Sequence, residues 1–196
     1  MSPDHSVIRF LEARQSIPVS QICEPGPDDA TLAEILKLAV RVPDHGRLEP
    51  WRFILYRGQG RDLAGKHIAE RLNERDGPLP ADVYDRELKR LSRAPLVIGV
   101  ISSPKQHERI PEWEQFLSAG AVAANINFAA RAHGFVSNWV TGWYADDREA
   151  MRRLGVADHE RIAGFVHIGT FDQAFPERPR PDIDGLVSEY TGPFAG

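Results

Sequence analysis

Apolar positions along the chain repeat at two spacings, and the switches between them mark out the elements. Val7, Phe10 and Leu11 fall on one face of a helix that opens at Ser2-Pro3-Asp4, with Ser2 as the capping residue. That helix should end near Arg14-Gln15-Ser16. Past the turn-rich EPGPDD, Asp28 and Asp29 suit a second helix start, and Leu32, Ile35, Leu36, Ala39 and Val40 recur at helical spacing. WRFILY (51–56) reads as a strand ending at Gly58-Gln59-Gly60. Two amphipathic helices are expected over 61–74 and 81–92, with DGPLP between them. APLVIGVIS (94–102) is an unbroken apolar run of strand length, which predicts a place in the middle of a sheet.

Residues 113–132 have helical spacing but are apolar on nearly every side, which predicts burial in a core or a subunit interface. Gly134 stops this helix. Strand-like FVSNWV, a short helix over DDREAMRRL and strand-like IAGFVHIGT complete the body. From about residue 172 the chain is rich in proline and polar groups and predicts an arm. Four strands with long helical excursions do not fit regular βαβ winding, so the expected class is α+β.

A length of 196 residues fits one domain, taking in 1–196 with its C-terminal arm. The net charge of −4, with no block of Lys and Arg, points away from nucleic acid. No run approaches the roughly 18 apolar residues of a membrane span. MSPDHSVIRF lacks the basic and apolar regions of a signal peptide. The lone Cys23 fits a reducing cytoplasm and reads as structural.

Familiar catalytic motifs fail one by one. YRGQGRDLAG places Gly58 and Gly60 between a strand and a helix, but Leu63 stands where a dinucleotide fingerprint needs its third glycine. None of the seven histidines lies three or four residues from another, so no helical metal pair exists. His167 sits among Phe165 and Ile168 as a packed strand residue, and no G-x-S-x-G elbow is present.

Two polar segments remain. Arg14-Gln15-Ser16 sets a cation, an amide and a hydroxyl at a helix end, a combination able to grip a phosphate. RVPDHGRLEPWRF (41–53) packs two prolines, a glycine, an Asp-His pair and a tryptophan into one loop. With the Ala-rich helix, the N-W-V-T-G turn and the closing G-T before a Pro/Arg tail, the chain from about Ile8 to Tyr190 resembles the nitroreductase family, nearest its short single-domain branch. The commoner family loop is P-S-S-x-N-x-Q-P-W. Here Asp44 and His45 replace the serines, Arg47 the asparagine and Glu49 the glutamine, within a kept frame of Pro43 and Pro50-Trp51.

The resemblance implies a layered fold with a mainly antiparallel sheet flanked by helices, in an intertwined homodimer holding FMN at the subunit interface. Arg14, Gln15 and Ser16 would hold the FMN phosphate and ribityl chain. Arg41 and His45 would reach the flavin of the other subunit, and Trp139, Val140 and Thr141 would line the isoalloxazine. Ala129, Ala130, Arg131, Ala132, His133 and Gly134 fall where short-branch relatives are assigned nicotinamide contacts, and Arg178 or Arg180 where relatives place phosphate-binding cations. NADH or NADPH would supply hydride, and a nitroaromatic, quinone or similar small molecule would accept electrons in a ping-pong cycle. Flavin would carry the chemistry, so no protein nucleophile or acid–base pair is needed. A flavin-binding or sensing protein without turnover is the alternative.

Overall fold

The structure is a computed structural model and describes residues 2–177 and 179–193. Its frame is one antiparallel sheet of β1 (Trp51–Arg57), β2 (Leu96–Ser102), β3 (Val136–Val140) and β4 (Arg161–Gly169), in the spatial order β1-β2-β4-β3. β2 and β4 are the interior strands. All seven residues of β2 and all but the first of β4 are buried, because both faces of the sheet are covered. This double cover is the physical reason that their sequences read as apolar runs instead of alternating.

One face carries α2 (Asp29–Ala39) and α5 (Glu112–Ala132), which close a core around Leu32, Ile35, Ile98, Val100, Val122, Ile126 and Val166. On the other face lie α3 (Gln59–Asp76), α4 (Ala81–Leu88) and α6 (Arg148–Arg153). Here Ile68, Leu91, Tyr144, Met151 and Leu154 pack on Tyr56, Val97 and Phe165. α3 and α4 approach so closely that a Cβ on Gly65 would stand 1.9 Å from the Leu88 carbonyl oxygen. A third cluster of Ile17, Ile22 and Ala94 takes Val136, Phe171 and Phe175 against it, and so fastens the start of the C-terminal arm beside β3.

The sheet and helices follow the sequence pattern, with differences in helix ends and in what the helices bury. The first helix, α1 (His5–Glu12), is capped by Asp4 and not Ser2: the Asp4 carboxylate accepts from the backbone N–H of Ser6 and Val7. α4 ends at Leu88, short of the expected 92, and α3 begins at Gln59 instead of 61. α5 is not buried on all sides. Its small residues face the sheet, whereas Trp113, Phe116 and Leu117 are exposed, Trp113 and Leu117 by more than 60%. α1 has no buried residue at all, and Val7, Ile8 and Leu11 stand open to solvent.

Candidate functional site

The chain beyond α1 runs along the open edge of the sheet. The backbone N–H of Ile17 donates to the Ser137 carbonyl at 3.4 Å, and the Asn138 side chain donates to the Ile17 carbonyl at 2.8 Å. These bonds set Arg14, Gln15 and Ser16 beside β3, close to where Trp139, Val140 and Thr141 leave the sheet. Arg14 reaches the Ser16 hydroxyl at 3.4 Å. Arg14, Gln15 and Ser16 share a cavity of about 80 Å³ with Phe175, Pro176 and Arg180 of the arm. Two guanidiniums, an amide and a hydroxyl around one small space form a donor set for a phosphate-sized anion. Arg178 lies outside the described residues; Arg180 lines the cavity and donates to the Arg14 carbonyl at 3.0 Å.

Trp139 lies over β4, its indole N–H donating to the Ala163 carbonyl at 3.2 Å while the ring stays 40% exposed. A Cβ on Gly164 would stand 1.8 Å from the indole nitrogen, so the glycine is what admits this ring. Val140 is half-buried and Thr141 exposed. In the 129–134 segment, Ala129 and Ala130 lie on the buried, core-facing side of α5, and Ala132, His133 and Gly134 face solvent. Arg131 lies between, its guanidinium 5.7 Å from the Phe10 ring, and it lines a second small cavity that also borders Arg14 and Gln15.

The loop after α2 is held from α5 by three polar side chains. Asn125 donates to the Arg41 carbonyl at 3.0 Å. The Ser118 hydroxyl donates to the Pro43 carbonyl at 2.8 Å and accepts from the Trp51 indole at 3.1 Å. Glu114 meets the His45 imidazole at 2.9 Å. Within the loop the Asp44 carboxylate accepts from the backbone N–H of Leu48 and Glu49. That brace holds Gly46, Arg47 and Glu49 at positive φ, which costs energy at the two residues with side chains. The two residues that replace the usual serines thus divide the work: Asp44 fixes the loop, and His45 stays exposed at the rim of an apolar cavity of about 330 Å³.

Arg14–Ser16 and His45 line different cavities of one chain. The parts of α5 that hold the loop were missed from the sequence. Their signal was present, as Glu114, Ser118 and Asn125 stand four and seven residues apart, a polar stripe on an otherwise apolar helix. Among the described residues no group of His, Cys, Asp and Glu could hold a metal ion, and no helix is long and apolar enough to cross a membrane.

An antiparallel sheet covered by helices on both faces, with a small cavity at its open edge and a loop braced from α5, defines an α+β protein. The model of the nitroreductase family matches residues 23–170, and the chain belongs to that family. It is 30% identical over 155 residues to a protein of Escherichia coli named "Putative NAD(P)H nitroreductase YdjA", across 77% of this chain and 81% of the relative. A solved nitroreductase-like family protein from Bacillus cereus shares the fold with a TM-score of 0.78 at 24% identity, over 98% of this chain and 100% of its own. A single-residue variant of NfnB, an FMN and NADPH-dependent nitroreductase derived from sphigopyxis sp. strain HMH, matches with a TM-score of 0.72 at 19% identity, over 94% of this chain and 98% of its own.

Proposed function

We propose that this chain is an FMN-dependent NAD(P)H oxidoreductase of the cytoplasm, folded as one domain with a C-terminal arm. It works as a homodimer with its flavin sites at the subunit interface, and its electron acceptors are nitroaromatics, quinones or similar small molecules. The observation that carries the reading is the cavity of Arg14, Gln15, Ser16 and Arg180 at the β3 edge. Its donors fit a phosphate monoester, and its volume of about 80 Å³ suits that group and not a three-ring system. A planar ring has room outside, along Trp139, where no further strand lies beyond the edge strand β3.

When bound, FMN would supply the redox chemistry of a ping-pong cycle, with NADH or NADPH as hydride donor and the small molecule as electron acceptor. The protein's part is position and charge. Arg14 and Arg180 offset the phosphate charge, and Ser16 and Gln15 complete its hydrogen bonds. Trp139, Val140 and Thr141 line the ring, and Arg131, Ala132, His133 and Gly134 border the nicotinamide. Arg41 and His45 complete the site from the second subunit. Two observations favour that division: His45 and Arg14 line different cavities of one chain, and the apolar faces of α1, α5 and the arm are exposed.

The test is colour. The purified protein should be yellow and should bleach under anaerobic conditions on addition of NADH or NADPH, then recover with nitrobenzene or benzoquinone derivatives. A protein that takes up no FMN defeats the reading. A yellow protein that neither nicotinamide bleaches would instead be a flavin-binding or sensing protein.

A further inference from the structure

Two of the residues that line the Arg14–Ser16 cavity, Gln15 and Arg180, already hold an anion that belongs to the chain. Phe171 and Phe175 meet edge to face, with ring centres 6.2 Å apart, and pack against Ile17, Ile22 and Ala94. This anchorage delivers Glu177, two residues on, to the cavity mouth. One of its carboxylate oxygens accepts from the Gln15 side-chain amide, and the other pairs with Arg180. Arg180 in turn donates to the Arg14 carbonyl at 3.0 Å, so a continuous chain of hydrogen bonds joins the arm to the turn after α1. Hydrogen bonding from Gln15, then from Arg180, holds the Glu177 carboxyl below the usual carboxylate range, so it is ionised at neutral pH. Arg14 has no ion pair among the described residues.

We propose that Glu177 is a resident anion that an incoming phosphate must displace, and that it thereby sets how strongly the site prefers phosphorylated over unphosphorylated flavin. The role rests on the cofactor reading above. Two guanidiniums and one carboxylate leave the cavity with a single net positive charge, and the carboxylate occupies the Gln15 amide that a phosphate oxygen would use. A doubly charged monoester wins the exchange, because it draws on both arginines while the Glu177 side chain swings into solvent. Monoanions gain little by it. The carboxylate also gives Arg180 a counter-charge when no ligand is present.

The experiment compares FMN and riboflavin binding to the apoprotein by flavin fluorescence quenching, in wild type, Glu177→Gln and Glu177→Ala. Glu177 is exposed, so both variants should fold. Removal of a screened unit charge beside a dianion should tighten FMN binding by roughly tenfold, and riboflavin binding should stay within about twofold. The FMN dissociation constant of both variants should also rise more steeply with salt than that of the wild type. Unchanged or weakened FMN binding in Glu177→Gln, with riboflavin unaffected, overturns the displacement role and makes Glu177 a support for Arg180. A wild type that binds FMN no better than riboflavin overturns the phosphate site itself, and this role with it.

Discussion

At the scale of single residues, charge and burial each lead to a measurable consequence. Arg14 is the guanidinium nearest the Ser16 hydroxyl and is free of carboxylate partners among the described residues. Arg14→Ala should weaken FMN binding by about 1.5–3 kcal/mol, roughly tenfold to a hundredfold, the worth of a hydrogen bond to a charged group. Riboflavin, which has no phosphate, should lose far less. Equal losses for the two ligands, measured by fluorescence titration, would remove the phosphate role from Arg14. His167 shows the other effect. Its ring is buried, with Nδ1 unpartnered and Nε2 3.3 Å from the Arg90 carbonyl, and burial pushes its pKa down to about 4 from the usual 6.5. The unfolded chain therefore takes up a proton that the folded chain refuses. Stability from this residue is complete above about pH 6.5 and declines as the pH falls toward about 4, by up to about 3 kcal/mol. Glu160 acts in a lower window: the hydrogen bond from Arg52 holds its pKa at about 2, so its contribution is present above 4.5 and lost as the pH falls through 2. His167→Leu should flatten the acid limb of stability above pH 4.5 and leave the Glu160 limb below it. Urea midpoints across pH check this, and an unchanged slope between pH 6.5 and 4.5 would clear His167 of the effect.

At the scale of elements, the loop between α2 and β1 depends on a helix some seventy residues further along the chain. Ser118 bridges the Pro43 carbonyl and the Trp51 indole, so Ser118→Ala deletes two hydrogen bonds and leaves the indole N–H without its acceptor. The expected cost is about 1–3 kcal/mol in urea unfolding; a variant as stable as the wild type would show that the loop is held without this brace. The same dependence explains what the sequence could reveal. β2 and β4 were legible because double-sided burial writes itself as an apolar run, and the loop's place was legible from Pro43 and Pro50-Trp51. Its internal bonding was not. No local rule says that Asp44 turns back to the N–H groups of Leu48 and Glu49, nor that Glu114 meets His45, because these contacts are set by how α5 crosses the α2 end. The first helix was misread at its cap for a related reason. Ser2 and Asp4 are both capping types, and the choice between them is decided by backbone geometry, with Asp4 extended at φ −88°. The helical spacing of α5 was legible, but which of its apolar residues would meet the sheet and which would stay exposed was not, since burial in a core and in a subunit interface are written by the same apolar sequence.

At the scale of the whole molecule, those exposed faces support the proposed homodimer. Val7, Ile8 and Leu11 of α1, Trp113, Phe116 and Leu117 of α5, and Ile183, Leu186, Val187 and Tyr190 of the arm are all at least 40% exposed in one chain. Sedimentation should find a dimer at micromolar concentration, and a stable monomer with FMN bound would defeat the assembly. The arrangement of the sites within that dimer can be tested by subunit mixing. Each flavin site is expected to draw Arg14 from one chain and His45 from the other, since the two line different cavities of a single chain. His45→Ala should then weaken FMN binding and dimerisation together. Its Glu114 partner would remain to report any purely structural loss, because Glu114→Gln disturbs the same hydrogen bond without removing the imidazole. A heterodimer of one His45→Ala subunit and one Arg14→Ala subunit should keep one intact site and carry one doubly damaged site. FMN titration should accordingly show half the wild-type stoichiometry at wild-type affinity. If instead both sites bind weakly and none retains wild-type affinity, the two mutations have struck separate sites, and His45 serves the flavin of its own chain.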